Sequence, residues 1–231
     1  MSENIKKNIK AFKVDLDSSE NQSILKPIAR PFNNQAHQVN EAAKKIYELI
    51  KNAKHSNDGI VLNHNKIKEA FFSPFKPQLK NAQVFLSHSH ADKNEALEVK
   101  NYLESETNHK VFVDSLFWDY KDDVLNELAK YDDISRIEDA FTLILRESLE
   151  YMIKKCPYFV FLQSKNSVSN QGLSQITYSA WIYEELKIAH SISESRPIPM
   201  MESMQVFHDI SSFLESFETI TLKKLSQQIN S

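Results

Sequence analysis

Three short apolar runs, AQVFLS at 82–87, KVFVD at 110–114 and YFVFLQS at 158–164, are separated by longer stretches whose apolar residues recur at helical spacing. This alternation constrains the fold more than any other feature, because strands joined through helices pair in parallel and are covered on both faces. Asp92-Lys93-Asn94-Glu95 has the cap-plus-acid spacing of a helix start, and Ala96, Val99 and Leu103 then share one face. A long polar insertion follows the second run. Beyond it, Phe141, Leu145, Leu149 and Met152 keep the helical period within DAFTLILRESLEYMIKK. Ser179 is placed to cap the helix AWIYEELKIAHSI, with Ile182, Leu186 and Ala189 as its core stripe. RPIPMM, a helix near 207–217, ETITL and a last short helix complete the series. Ligands of such sheets lie at the carboxyl ends of the strands.

The first third reads differently. Residues 1–36 are polar, carry Pro27 and Pro31 and show no sustained period, which predicts an irregular arm. Val39, Ala42, Ala43, Ile46, Tyr47 and Ile50 then recur at helical spacing, and Ile67 to Phe72 reads as a second helix before Pro74 and Pro77 break the chain. The predicted organisation is an amino-terminal arm with one or two helices at 1–78 and an α/β domain at 79–231.

Composition removes several functions. The 231 residues carry 28 basic against 31 acidic side chains, a net charge of −3, which argues against an electrostatic nucleic-acid or polybasic membrane surface. No stretch approaches about 18 consecutive apolar residues, and MSENIKKNIKAFKVD lacks the apolar centre of a signal peptide, so a cytoplasmic protein is expected. Cys156 stands alone, which excludes disulfide frameworks and thiolate zinc sites, and its place between a helix and a strand predicts burial. With only Gly59 and Gly172, neither a dinucleotide GxGxxG turn nor a GxxxxGK[ST] phosphate loop can form.

The stretch VFLSHSHADKNEA poses a metal question, because alternate residues leaving a strand project to one side and His-x-His-x-Asp can share an ion. Metal-dependent hydrolases of that kind continue with a further His. Here Lys93 follows Asp92, placing an ammonium where a ligand is needed, and His109, His190 and His208 form no comparable cluster. No metal is therefore expected. The plain alternative makes His88 and His90 polar residues at a strand end.

VFLSHSHADKNEA also resembles the first box of TIR (Toll/interleukin-1 receptor) domains, and YFVFLQSKNSVSN followed by TYSAWIYEELKIA is similar to their later strand and the helix with a Trp-x-x-x-Glu pattern. VFVDSLFWDYKDD resembles a bacterial TIR-like subgroup in which Asp-Ser and a Trp follow the second strand. The likeness covers residues 80–225. The loop after the second strand lacks the Pro-Gly of receptor-type members, so receptor-style contacts are not carried over. The resemblance implies a flavodoxin-like, five-stranded parallel sheet with helices on both faces, plus the amino-terminal helical extension.

For function it implies either cleavage of NAD at the nicotinamide–ribose bond, giving nicotinamide and an ADP-ribose product that is hydrolysed, cyclised or conjugated, or a non-catalytic assembly module. Such proteins serve anti-phage defence, with self-association and a downstream effector sensing the product, or act as host-directed effectors. NAD is substrate, and no cofactor is expected. Nicotinamide leaves a cationic pyridinium as a neutral base, so the two carboxylates of ordinary glycosidases are not required and one suffices. Glu185 is the candidate, four residues from Trp181 and so on one helix face with it, about 100° from the core stripe and expected to line a cleft. The Trp181 ring can stack on the pyridinium. Glu184 is the neighbouring decoy. Ser87 and His88 end the first strand, and Asp114 and Ser115 the second, where their polar groups can bind ribose or phosphate. Trp118 and Tyr120 either close over the ligand or anchor the insertion.

Overall fold

The computed structural model describes residues 9–26, 36–52, 54–56, 59–61, 63–73, 80–130, 135–171, 173–190 and 207–231. They divide into two compact units, one made of Met1–Ile28, Ala82–Asp114 and Leu149–Ser231, the other of Ala29–Asn81 and Ser115–Ser148.

The first unit is built on a five-stranded sheet. Its strands are β1 (Lys10–Asp15), β4 (Ala82–Ser87), β5 (Lys110–Val113), β6 (Tyr158–Gln163) and β10 (Glu218–Thr219). They lie in the order β5–β4–β6–β1–β10, every pair parallel. Helices flank it: α1 (Ser19–Ile24), α4 (Lys93–Glu106), α7 (Ala180–Ala189), α8 (Ser211–Ser216) and α9 (Leu222–Asn230). A small antiparallel sheet of β7 (Ser169–Gln171), β8 (Ser174–Thr177) and β9 (His208–Asp209) belongs to the same unit.

The central strands are apolar on both faces because both are covered. Phe85 pairs in register with Phe112 and Phe159, ring centroids 5.6 and 5.7 Å apart. Leu86, Val113 and Val160 line up on the opposite face, all buried. Three of the five strands are the apolar runs of the sequence. The architecture is consistent with a flavodoxin-like sheet, whose order is 2-1-3-4-5 when strands are counted from β4.

The fourth place in that order is filled from the other end of the chain. β1 aligns with β6 over its full length, from Lys10 opposite Tyr158 to Asp15 opposite Gln163, and its other edge receives β10. Phe12, Val14 and Leu16 are buried. The predicted division into an arm at 1–78 and a domain at 79–231 is corrected accordingly: β1 and α1 belong to the sheet unit. The RPIPMM run lies outside the described residues.

The second unit is helical. It comprises α2 (Ala36–Lys51), the hairpin β2 (Lys54–Ser56) and β3 (Gly59–Val61), α3 (His64–Phe72), α5 (Ser115–Leu128) and the larger part of α6 (Ser135–Lys155). α2 packs on α3 and α5. The polar insertion is thus helix α5, and its apolar residues Tyr120, Val124, Leu125 and Leu128 are buried. At the centre, the Phe71 ring meets Phe72, Tyr120 and Phe141 with centroids 4.9, 4.9 and 5.0 Å apart, an edge-rich arrangement that aromatic quadrupoles favour.

Candidate functional site

The carboxyl ends of β4 and β5 carry the polar residues of the site because an apolar strand must release the chain into a turn. Ser87 is the last residue of β4 and faces the same side of the sheet as Phe85, while Asp114 follows Val113 directly. Helix α7 is started by Ser179, whose hydroxyl accepts from the Ile182 amide at 3.2 Å, as the sequence predicts. It brings Glu185 to the Ser87 hydroxyl and the Asp114 carboxyl.

Glu185 is 0% exposed. Neither of its oxygens has a hydrogen bond of full geometry. Burial, first, and the charge of Asp114, second, push its carboxyl well above the usual carboxylate range, with Ser87 opposing. Asp114 has its own partner: the Nδ1 of His88 lies 2.8 Å from Oδ1, both side chains buried, on an approach bent away from ideal hydrogen-bond geometry. Four candidates, Ser87, His88, Asp114 and Glu185, therefore form one enclosed cluster.

The others fare differently. The cleft expected along the Trp181–Glu185 face is not open at Glu185, because α7 buries a wider arc than its Ile182–Leu186 stripe and Glu184, Glu185 and Leu186 are all covered. Trp181 is half-buried. Glu184 lies 4.0 Å from Lys187 and acts on His208, so the decoy is itself engaged rather than solvated. Ser115 is buried as the first residue of α5, in the helical unit. The Trp118 side chain lies outside the described residues. Tyr120 is core: burial first, and Glu41 second, push its phenol upward, and the ring packs on Phe71, so it anchors the insertion and does not close over a ligand.

Asp92 does not cap α4 with its side chain. Its carboxylate instead accepts from the Ser164 hydroxyl and, at 2.5 Å, from Asn166 Nδ2. The backbone amide of Ser164 donates to the Ser167 hydroxyl at 2.8 Å, and the Lys165 amide to Asp17 at 3.0 Å. This network joins the loops after β4 and β6, the neighbours between which strand order reverses and where open parallel sheets take ligands. Sequence reasoning assigned none of these residues to the site and read Asp92 as a helix cap. Ser-Lys-Asn-Ser at 164–167 carries turn chemistry, a signal that could have found them.

His90 is exposed, His88 turns to Asp114 and Asp92 turns to Ser164, so the three do not converge on an ion. Among the described residues no three His, Cys, Asp or Glu side chains gather as metal ligands, and no helix is long and apolar enough to cross a membrane. Cys156 is buried, with its thiol 3.7 Å from the Ala82 carbonyl. No protein-family model matches the chain, and no curated protein or solved structure matches it.

Proposed function

We propose that the chain is a TIR-like, NAD-consuming enzyme that breaks the nicotinamide–ribose bond. The observation that carries this reading is Glu185, the carboxylate singled out by the Trp-x-x-x-Glu pattern, enclosed at the strand ends against Ser87 and Asp114. Carboxylates displaced from their ordinary range by burial and a like charge cluster where chemistry is done. The bond from ribose C1′ to the pyridinium nitrogen breaks with its electron pair leaving on nicotinamide, a neutral base. The ribosyl cation left behind is stabilised by ionised Glu185 and is captured by water or another nucleophile, which gives up a proton. Trp181, one turn before Glu185, offers a stacking face to the nicotinamide ring. The role is anti-phage defence or action as a host-directed effector, in the cytoplasm, through self-association.

Purified protein incubated with NAD, with and without crowding to promote assembly, is expected to release nicotinamide, read by chromatography. Because Glu185 must be ionised and its pKa is raised, turnover should climb with pH above the range in which ordinary carboxylates titrate. Glu184→Gln should retain activity and Glu185→Gln should lose it. Wild type inactive under every assembly condition would sink the enzymatic reading. One observation favours the assembly module as the second reading. Tyr178 and Phe207, flanking the paired Thr177–His208 step of the small sheet, are 52% and 58% exposed.

A further inference from the structure

We infer that the outer edge of β5 is a self-association site held closed by α4: Lys100 and Glu104 occupy the peptide groups that would otherwise pair with β5 of a second copy of this chain. This closure concerns assembly and is independent of whether Glu185 cleaves NAD.

Among the described residues β5 pairs with β4 alone, which makes it an edge of the main sheet. Its run Lys-Val-Phe-Val is the kind of short apolar strand that recruits another. In a parallel strand successive residues turn their peptide groups to opposite sides. The Lys110 amide is turned to β4, where it donates to Gln83 Oε1 at 2.7 Å, so Val111 faces outward. Both of its peptide groups are met there by side chains. Its amide donates to Glu104 Oε1 at 3.0 Å, and its carbonyl accepts from Lys100 Nζ at 2.8 Å. The two side chains also join each other at 2.6 Å, and they are only 14% and 22% exposed for Lys100 and Glu104. One acceptor and one donor, a single turn apart on α4, thus stand where a neighbouring strand would put a carbonyl and an amide.

An ion pair that served α4 alone would stand on the helix surface and would need no strand peptide. The other edge of the sheet is handled differently: β10 is two residues long, both exposed, and offers little to pair with. The guarded edge is the longer and more apolar of the two. Its occupant in the absence of the guard is its own copy, because two β5 edges related by a two-fold axis run antiparallel and each Val111 brings one donor and one acceptor. The two valines then exchange both hydrogen bonds. Withdrawal of Lys100 and Glu104 therefore converts a contact within one chain into a contact between two, and α4 governs when copies meet at this edge.

The test uses the full chain and a charge swap, Lys100→Glu with Glu104→Lys. The swap keeps the net charge and an ion pair along α4, in the orientation helices prefer, but sets a cation against the Val111 amide and an anion against its carbonyl. Sedimentation velocity should show the swapped chain self-associating at least about tenfold more tightly than wild type, the net worth of two hydrogen bonds made between copies. Hydrogen exchange locates the contact. The Val111 amide should be protected in the wild type at every protein concentration, and in the swapped chain only where copies associate. Glu104→Gln, which keeps an acceptor for that amide, should behave as wild type. Association equal to wild type in the swapped chain overturns the inference. So does Val111 exchange that ignores concentration there, since the contact would then lie elsewhere, or a Glu104→Gln chain that associates like the swapped one. If the swapped chain does not fold, Glu104→Ala decides: it opens the Val111 amide alone and should tighten association in the same direction, and unchanged association again overturns the inference.

Discussion

The two units bury different things. The helical unit fills its centre with Phe71, Phe72, Tyr120 and Phe141 and keeps its ion pairs in water, where Glu147 meets His64 and Lys68 at 3.2 and 2.8 Å. The sheet unit encloses Glu185, Asp114, His88 and Asp92 among apolar strand ends. A buried carboxyl weakens a fold unless it is fully partnered, and an apolar side chain of similar size would often serve stability better. The contrast teaches that the aromatic centre of the helical unit is composed for packing, while the sheet unit accepts instability at one edge. Such an edge is where a site belongs.

The comparison breaks most completely if the sheet unit does not need its first strand. A chain starting at residue 27 lacks Phe12, Val14 and Leu16 and leaves β6 and β10 without their shared neighbour, so it should lose cooperative unfolding of the sheet unit altogether. Near-ultraviolet circular dichroism and hydrogen exchange at β4–β6 amides would read this, and native protection there would contradict it. Next is Phe71→Ala, expected to cost about 3–5 kcal/mol in denaturant unfolding because the ring fills the aromatic centre. The slope of stability against pH should stay as in the wild type.

Glu185→Gln should act in two opposite directions. On the proposed reading, turnover of NAD is expected to drop on the order of a hundredfold or more, because the substitution removes the charge proposed to stabilise the ribosyl cation. Stability should rise at neutral pH. The folded-state pKa of Glu185 lies above its unfolded value, so the folded protein holds the extra proton. Its contribution is full below the unfolded pKa and is lost as pH rises toward the folded one, by up to about 1.4 kcal/mol per unit. Glutamine removes that slope, and melting curves across pH would show the two proteins diverging as pH increases. A variant less stable than wild type at neutral pH would mean that the carboxyl is structural.

Asp92→Ala should cost about 1–3 kcal/mol, since it leaves the buried Ser164 hydroxyl without its acceptor. The smallest effect belongs to Glu147→Gln. Lys68 first and His64 second hold the Glu147 carboxyl below its ordinary range, so its contribution is present above the unfolded pKa and is lost as pH falls through the folded one. With 42% of that side chain exposed and screened, no more than about 0.5 kcal/mol is expected, and it should fade in high salt.

The strands β4, β5 and β6 were legible because each is a run of apolar, β-forming residues buried on both faces. β1 was not, although Phe12, Val14 and Leu16 alternate with Lys13 and Asp15, because that alternation is only five residues long and stands in a polar stretch beside Pro27 and Pro31. A lysine in an inner strand reads as solvent; here its ammonium reaches the Leu214 carbonyl at 3.1 Å. Likewise α2 was found as a helix, but not its partner, since the apolar face of α5 was hidden among the acids and lysines of the insertion. At the site, the resemblance to TIR domains singled out Glu185, and helical spacing, which put it on one face with Trp181, could not foresee its enclosure. The pairing of His88 with Asp114 depends on the register of β4 against β5, which no local pattern encodes.

The place of β1 also sets a schedule for synthesis. Its hydrogen-bonding edges stay unmatched until β6 leaves the ribosome, about 150 residues later, which at about 5–20 residues per second is on the order of 7–30 s. Through that interval a nascent strand carrying Phe12, Val14 and Leu16 is open to any unpaired sheet edge nearby. The charges within β1, Lys10, Lys13 and Asp15, are the kind that keep such a waiting strand from joining its neighbours on a polysome.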